Sequence, residues 1–229
     1  MHSAEQIAQV TKLRQLGRSP KEIARELGIK PAEAARLVRA AAASQAPAEA
    51  QLAGCWISPG WSTGLTVDTQ SGLPTDSSEN TTADGMVMVL VARHHRYDKI
   101  LVCGYLVDTY CLGVKNVFGP EVMDDRELPK FVPHYFKAYD AAPLEAPIEL
   151  AREVVLGAID YARTLGFEPH EDFPHVEAHL GPWTGPSAIT FGKEGRPFYV
   201  NGPHDHSLAI LSTLKRTAGA GNFDTIMNL

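Results

Sequence analysis

Apolar side chains in the first 44 residues recur at every third or fourth position, which is the spacing that places them on one face of a helix. Three such groups follow one another, and we predict helices over about 4–16, 20–27 and 31–43. The apolar positions of the three groups are Ile7, Val10, Leu13 and Leu16, then Ile23, Ala24 and Leu27, then Ala34, Leu37 and Val38. The pattern therefore predicts a small, all-helical unit at the start of the chain.

The middle helix of this unit has clear boundary signals. Ser19 and Glu22 stand three positions apart around Pro20, which is the pattern of a capping box with proline in the first turn. Gly28 follows the last apolar position, and glycine accepts the positive φ of a tight turn. These residues predict a short helix followed at once by a turn into the next helix.

Beyond residue 85 the pattern changes to long apolar runs, typical of buried strands, with helical stretches between them. From these runs we predict an α+β domain whose elements follow the order ββ-α-α-ββ-α. The predicted elements are a β-hairpin over 86–95 and 100–114, a short helix within 121–140, a long helix over 147–165, a second hairpin over 187–201 and a final helix over 207–217. The fold class expected for the whole chain is therefore α+β, with an all-helical part in front.

Changes in composition mark the expected domain boundaries. Residues 1–44 form the predicted helical head, residues 45–54 an Ala-rich linker, and residues 55–229 the α+β domain. Within that domain, residues 68–85 have almost no large apolar side chain, and we predict an exposed loop there. Residues 55–65 contain two Trp beside Pro and Gly, which predicts an irregular loop packed on the domain or, as the alternative, a stacking surface for a planar ligand or base.

Charge is distributed unevenly along the chain. The 229 residues have a formal net charge of -6, which by itself argues against nucleic-acid binding. Residues 1–44, however, contain eight Lys or Arg and four Glu, a formal charge of +4, so the remaining residues carry −10. The uneven distribution confines any expected contact with a phosphate backbone to the helical head.

The sequence has no pattern of secretion or membrane insertion. Its first residues are polar and charged, without the apolar core of a signal peptide, and the longest apolar run, 86–92, is far shorter than a membrane span. Cys103 and Cys111 would lie about 26 Å apart on the predicted strand 100–114, which is too far for a disulfide. With Cys55 as the third cysteine, we expect a cytoplasmic protein with reduced, buried thiols and no membrane contact; a nucleophilic Cys111 is the alternative.

The helical head resembles the helix-turn-helix motif of bacterial regulators and sigma-factor-like domains. The residues that carry the resemblance are Ile23, Ala24, Leu27, Gly28, Ile29, Ala34, Leu37 and Val38. The resemblance implies that the head binds double-stranded DNA, with a recognition helix over about 30–40 in the major groove. The implied contact residues are Arg18, Lys21 and Arg39 for phosphates, and Lys30 and Arg36 for base edges.

A head with a charge of only +4 binds DNA weakly by itself. A homodimer formed through the rest of the chain is the expected source of the missing affinity, because two linked heads bind together. The alternative is that the head is a generic three-helix unit that contacts another protein.

Residues 55–229 resemble an uncharacterised domain that follows a helix-turn-helix in some actinobacterial proteins. The segments that carry this resemblance are 55–61, 105–116, 165–170 and 198–203. The resemblance implies a two-part architecture and a bacterial, cytoplasmic setting, and it implies no catalytic residues.

Asp108 is the most unusual residue of the α+β domain, because it stands within the long apolar run 100–114. Burial raises the pKa of a carboxyl group unless donors or a cation meet it, and functional sites are enriched in such groups. Asp108 is therefore the candidate catalytic residue. The structural alternative is a carboxylate that accepts hydrogen bonds from backbone amides or pairs with Lys115.

His204, Asp205 and His206 form the densest group of potential metal ligands. Imidazole and carboxylate groups suit Zn²⁺ or another divalent cation, and Asp108 could supply a further ligand. A metal-activated water would then indicate a hydrolase or nuclease. The alternative is that these residues are exposed or cap the helix that begins near Ser207.

Three functions are compatible with these patterns. The first is a DNA-binding regulator with an acidic domain that dimerises or senses a ligand, and it requires no cofactor. The second is a metal-dependent hydrolase or nuclease that uses Asp108 with His204, Asp205 and His206. The third is a scaffold that binds another protein through its helical head.

Overall fold

The computed structural model describes most of the chain. The described residues are 9–10, 12–13, 18–31, 33–34, 37–38, 50–76 and 85–227. Arg36 and Arg39, residues 45–49 of the predicted linker 45–54 and residues 77–84 of the predicted loop lie outside them.

Nine strands and five α-helices are defined within the described residues. The strands are β1 (Leu52–Ile57), β2 (Thr66–Val67), β3 (Met86–His94), β4 (Lys99–Asp108), β5 (Gly113–Asp124), β6 (Leu144–Glu145), β7 (Ile189–Thr190), β8 (Phe198–Val200) and β9 (Asp224–Ile226). The helices are α1 (Pro20–Leu27), α2 (Leu128–Tyr135), α3 (Ile148–Thr164), α4 (Glu177–Leu180) and α5 (Ser207–Thr217). Two 3₁₀ turns, Thr69–Ser71 and Phe173–His175, complete these elements.

A five-stranded antiparallel sheet forms the centre of the α+β domain. Its strand order is β5-β4-β3-β1-β6. Alternating side chains of β3 point to opposite faces: Val89 and Val91 belong to the core that includes Val154 of α3, whereas Leu90 belongs to the core that includes Phe136, just after α2. The sheet is therefore covered on both faces, which explains why its central strands are apolar almost throughout.

Helix α3 agrees closely with the helix predicted over 147–165. Pro147 precedes its first residue, and Gly166, with φ +87°, follows its C-terminal end. Its buried stripe includes Leu150, Val154 and Ala158, which recur at every fourth position and contact the sheet.

The α+β class is confirmed, but the predicted order ββ-α-α-ββ-α is not the observed one. Strand β1 begins at Leu52, inside the predicted linker, and continues into the segment predicted as an irregular loop. It lies between β3 and β6, and its last residues alternate in burial. The Ala, Gly and Pro residues around it weaken the strand pattern, which is why the sequence did not reveal it.

The run 100–114 is two strands rather than the single strand predicted. Strand β4 ends at Asp108, the chain turns over 109–112, and β5 begins at Gly113 with φ +69°. A Cβ atom at Gly113 would lie 2.9 Å from the Ala162 Cβ and 3.0 Å from the Ala158 carbonyl oxygen, so α3 leaves room only for glycine. Apolar residues continue through this turn because it is buried, and that continuity concealed the turn in the sequence.

The predicted hairpin over 187–201 is also different. Residues 193 and 196 form an isolated bridge at its turn, but β7 pairs with β2, and β8 pairs in parallel with β9. Strands of two or three residues carry too little pattern to identify their partners.

No α-helix in the described part of the chain is both long enough and apolar enough to span a membrane. All three cysteines, Cys55, Cys103 and Cys111, are free and buried, as the sequence predicted.

Candidate functional site

The described part of the helical head has its own small apolar core. The buried members are Val10, Ile23, Ala24, Ala34 and Leu37. Residues 9–10 and 12–13, helix α1, and residues 31, 33–34 and 37–38 are all helical, and each of these helical stretches contributes to this core. Five of the predicted inward positions are therefore buried, and Leu13, Leu27 and Val38 are half-buried against them. Ile7 and Leu16, also predicted to point inward, lie outside the described residues.

Helix α1 begins and ends as its sequence predicts. The Ser19 amide donates to the Glu22 carboxylate at 2.8 Å, and the Glu22 amide donates to the Ser19 hydroxyl at 3.4 Å, which completes the capping box. The hydrogen bond from the Ser19 amide lowers the pKa of Glu22. Gly28 then ends the helix with φ +66°, and its amide donates to the Ala24 carbonyl.

The basic residues of the head differ in their surroundings. Lys21 and Lys30 are exposed. Arg18 is also exposed, but its guanidinium lies 4.0 Å from the Glu22 carboxylate and 3.9 Å from that of Glu26. Part of the positive charge predicted for phosphate contact is thus already matched by α1 itself.

Asp108 lies at the last position of β4, not inside a strand as the sequence suggested. One of its carboxylate oxygens accepts the amides of Tyr110 and Cys111, both at 2.9 Å. Burial raises the pKa of Asp108 to about 7, and the Tyr110 amide and the charge of Lys115 oppose that rise. These contacts match the structural alternative, in which the carboxylate holds the turn between β4 and β5.

Lys115 pairs with Asp205 in the loop that was predicted to bind metal, and its charge also acts on Asp108. Its Nζ lies 2.9 Å from the carboxylate of Asp205, and the Lys115 and Asp205 side chains are only 19% and 10% exposed. Asp205 also accepts the Gly202 amide at 2.8 Å and the Tyr199 hydroxyl at 3.2 Å. Burial raises the pKa of Asp205, but the Gly202 amide and Lys115 outweigh it, so the net pKa is lowered. We call Asp108, Lys115, Tyr199 and Asp205 the Lys115 cluster.

The metal site predicted at His204, Asp205 and His206 does not assemble. His204 and His206 are exposed, whereas Asp205 is turned toward Lys115. Among the residues that the structure describes, no group of three or more His, Cys, Asp or Glu side chains is arranged to hold a metal ion. The prediction placed a metal ion beside Asp205. In the structure, the ammonium group of Lys115 lies there instead.

The helix-capping alternative for the same residues is wrong in detail. His206 is the residue before α5 and makes no side-chain cap, and Ser207 is the first residue of the helix. The Ser207 hydroxyl lies 3.0 Å from the Tyr199 hydroxyl rather than bonding a helix amide. Asp205 and Ser207 thus hold Tyr199 in place from both sides.

Cys111 has the properties of a core residue rather than of a nucleophile. It is completely buried, and burial raises the pKa of its thiol, as does the neighbouring carboxylate of Asp108. Because the thiolate is the reactive form, these conditions suppress nucleophilic reactivity.

Arg93 is a buried charged residue that the sequence pattern did not identify as a site. It is 5% exposed, and its guanidinium donates to the carbonyls of His179 and Ala50, both at 2.7 Å, and of Leu180 at 3.2 Å. An arginine inside the apolar run of β3 was the available signal. Its contacts fasten the start of β1 and the end of α4 to the sheet.

No known protein family, curated protein or solved structure matches this chain.

Proposed function

We propose that residues 1–44 bind double-stranded DNA through a helix-turn-helix arrangement. The observation that supports this most directly is the turn at Gly28, where α1 ends in a left-handed residue and helical residues begin again at position 31. Short glycine-containing turns between two packed helices are characteristic of this motif. Ile23, Ala24 and Ala34 lie in the same small core, which brings the two helical segments together.

In this proposal the exposed lysines make the first contacts with DNA. Lys21 lies in the first turn of α1, where phosphate contacts are usual, and Lys30 precedes the second helical segment, which would enter the major groove. Arg36 and Arg39 would follow along that segment and add one base contact and one phosphate contact. Arg18 would contribute less than a free arginine, because it shares its charge with Glu22 and Glu26.

The acidic α+β domain, in this proposal, supports DNA binding without contacting DNA. It would dimerise or sense a ligand in the cytoplasm of a bacterial cell, and dimerisation would place two heads on one duplex. The formal charge of −10 outside residues 1–44 disfavours a phosphate backbone along that part of the chain.

The experiment is a binding titration of the full chain with a fluorescent duplex of random sequence at low salt. We expect Lys21→Ala with Lys30→Ala to weaken binding by about tenfold or more. Each lysine that contacts a phosphate releases counterions from the DNA, and the variant loses that favourable contribution. Arg36→Ala with Arg39→Ala should weaken it at least as much. Lys130→Ala with Lys137→Ala is the matched control, since both lysines are exposed in the α+β domain.

Equal binding by all variants would contradict the proposal, as would no binding to duplex by the native chain. Circular dichroism of each variant checks that lost binding is not lost folding. The scaffold function would replace the proposal if two results were found together. The native chain would not bind DNA, and it would capture a protein partner from lysate after nuclease treatment that the head variants do not capture.

A further inference from the structure

The chain that carries the helical head enters the α+β domain beside helix α4. Ala50 is the first described residue after Val38 of the head. The buried guanidinium of Arg93 donates to the Ala50 carbonyl at 2.7 Å and to the His179 carbonyl of α4, also at 2.7 Å. One guanidinium thus holds both carbonyls, which places the point of attachment next to α4.

The chain between the head and this point is short. Ala50 follows Val38 by twelve positions, and an extended chain covers at most about 3.6 Å per residue, so the two residues lie within about 43 Å of each other. Tethering by a short segment gives an effective concentration of about the millimolar range. Contacts between the head and the surface around α4 are therefore populated even when each of them is weak.

The segment around this point is negatively charged when every ionisable group is counted. Residues 148–183, which comprise α3, α4 and the chain up to Trp183, contain seven Asp or Glu and two Arg. Arg93 lies against the same segment and adds a third cation. With neutral histidines the formal charge is −4, whereas residues 1–44 carry +4. The head is thus attached beside a segment of opposite charge.

Most of these carboxylates already have partners within the domain. The engaged ones are Glu149, Asp160 and Glu168, which pair with arginines, Glu153, which accepts three hydrogen bonds, and Asp172, which lies 3.7 Å from His175. Glu171 and Glu177 differ from them, since both are exposed and neither pairs with Lys or Arg within the described part of the chain. Glu171 and Glu177 are therefore available to a cation that approaches from outside the domain.

We propose that in the absence of DNA the helical head packs against this segment of its own chain, with Lys21 or Lys30 beside Glu171 and Glu177. The two lysines are exposed, and they are the ones that the DNA-binding proposal assigns to DNA. The regulatory part of the inference rests on that proposal, because duplex DNA and the α+β domain then compete for the same lysines. Exposed ion pairs are individually weak and are screened by salt, so the contact is partial and is lost at high ionic strength.

The contact is tested on the full chain without DNA by cross-linking with a carbodiimide. This reagent condenses a lysine amine with a carboxylate into an amide, takes up the released water as a urea, and adds no spacer. We expect peptides that join Lys21 or Lys30 to Glu171 or Glu177 in the monomeric product at about 20 mM salt, and at least about threefold fewer of them at about 500 mM salt.

The competition is tested by duplex binding of the Glu171→Gln, Glu177→Gln double variant. We expect it to bind DNA about threefold more tightly than a control variant, which is the effect of one exposed ion pair. Glu121→Gln with Glu194→Gln is the matched control, because it has the same net charge and its two exposed carboxylates lie outside residues 148–183.

The absence of links between the head and these two glutamates, or links that are equally frequent at high salt, would overturn the proposal. Links found only in a covalent dimer would also overturn it, in favour of contact between two copies of the chain. Equal duplex binding by the two double variants would exclude the competition. Because the cross-linking contains no DNA, its failure leaves the DNA-binding proposal standing, and a chain that forms the links but does not bind duplex contradicts only the DNA-binding proposal.

Discussion

Asp108 and Asp205 are two carboxylates in different surroundings, although both interact with Lys115. Asp108 is buried at the end of β4 and is met mainly by backbone amides, whereas Asp205 pairs directly with the lysine. Their pKa values consequently move in opposite directions. The sequence identified Asp108 as a candidate catalytic residue and Asp205 as a candidate metal ligand, but it could not show that Asp205 pairs with a lysine rather than with a metal, since Lys115 and Asp205 are 90 positions apart.

Asp108 should make stability depend on pH in a recognisable way. Burial raises its pKa to about 7, so between about pH 4 and pH 7 the folded chain binds a proton that the unfolded chain has released. The stability that this proton provides is therefore present below pH 4 and is lost as the pH rises toward 7. Asp108→Asn removes the titration, so its free energy of unfolding relative to the native chain should increase from pH 4 to pH 8.

The measurement is chemical denaturation of both chains across this pH range. The quantity compared is the slope of the free energy of unfolding against pH. A destabilisation by the new amide of the Asp108→Asn variant that is the same at every pH does not change this slope. Parallel stability curves for the two chains would show that Asp108 is ionised at all these pH values in the folded state.

The Lys115 cluster should matter for stability, while its exposed histidine neighbours should not. Asp205→Ala leaves a largely buried ammonium without its partner, and we expect a loss of about 2–3 kcal/mol in the free energy of unfolding. His204→Ala is the control, with an expected change within about 0.5 kcal/mol because the side chain is exposed. If added Zn²⁺ stabilised the native chain and neither variant, the ion-pair interpretation would be wrong and the metal site restored.

At the scale of elements, the sequence was most informative where one face of an element is apolar. The periodicity of α3 predicted its limits to within one residue, and the capping box of α1 is formed by Ser19 and Glu22 as expected. It was least informative where burial continues through a turn, as between β4 and β5, or where a strand is short, as at β7 and β8. Periodicity reports the burial of side chains, and it does not report where the backbone reverses.

Gly113 permits the turn that the sequence concealed, and its substitution tests that account. In Gly113→Ala the new Cβ would meet α3 and would also strain a left-handed residue, for a combined loss of about 2–4 kcal/mol. Gly72→Ala is the matched control, because Gly72 has φ +70° and no heavy atom within 4 Å of a built Cβ. It should lose only about 1 kcal/mol, the cost of the conformation alone. Thermal or chemical unfolding of both variants gives the two losses, and equal losses would mean that α3 does not restrict Gly113.

At the scale of the whole molecule, net positive charge is concentrated in the helical head and net negative charge in the rest of the chain. Residues 1–44 carry a formal charge of +4 and the remaining residues carry −10. The α+β class and the inward positions of the head could be predicted from the sequence, because both depend on local apolar patterns. The contacts of Arg93 could not, because its guanidinium reaches carbonyls that are 43 to 87 positions away along the chain.

The salt dependence of duplex binding by the full chain tests the DNA-binding proposal most directly. The logarithm of the binding constant should fall linearly with the logarithm of the salt concentration, with a slope of about −0.9 for each phosphate contact. With two or three phosphate contacts per head, we expect a slope of about −2 to −3 for one head and about twice that for a dimer with both heads bound. Substitution of Lys21 by Ala should reduce the slope by about one per head. A slope near zero, or no binding at about 50 mM salt, would contradict the proposal.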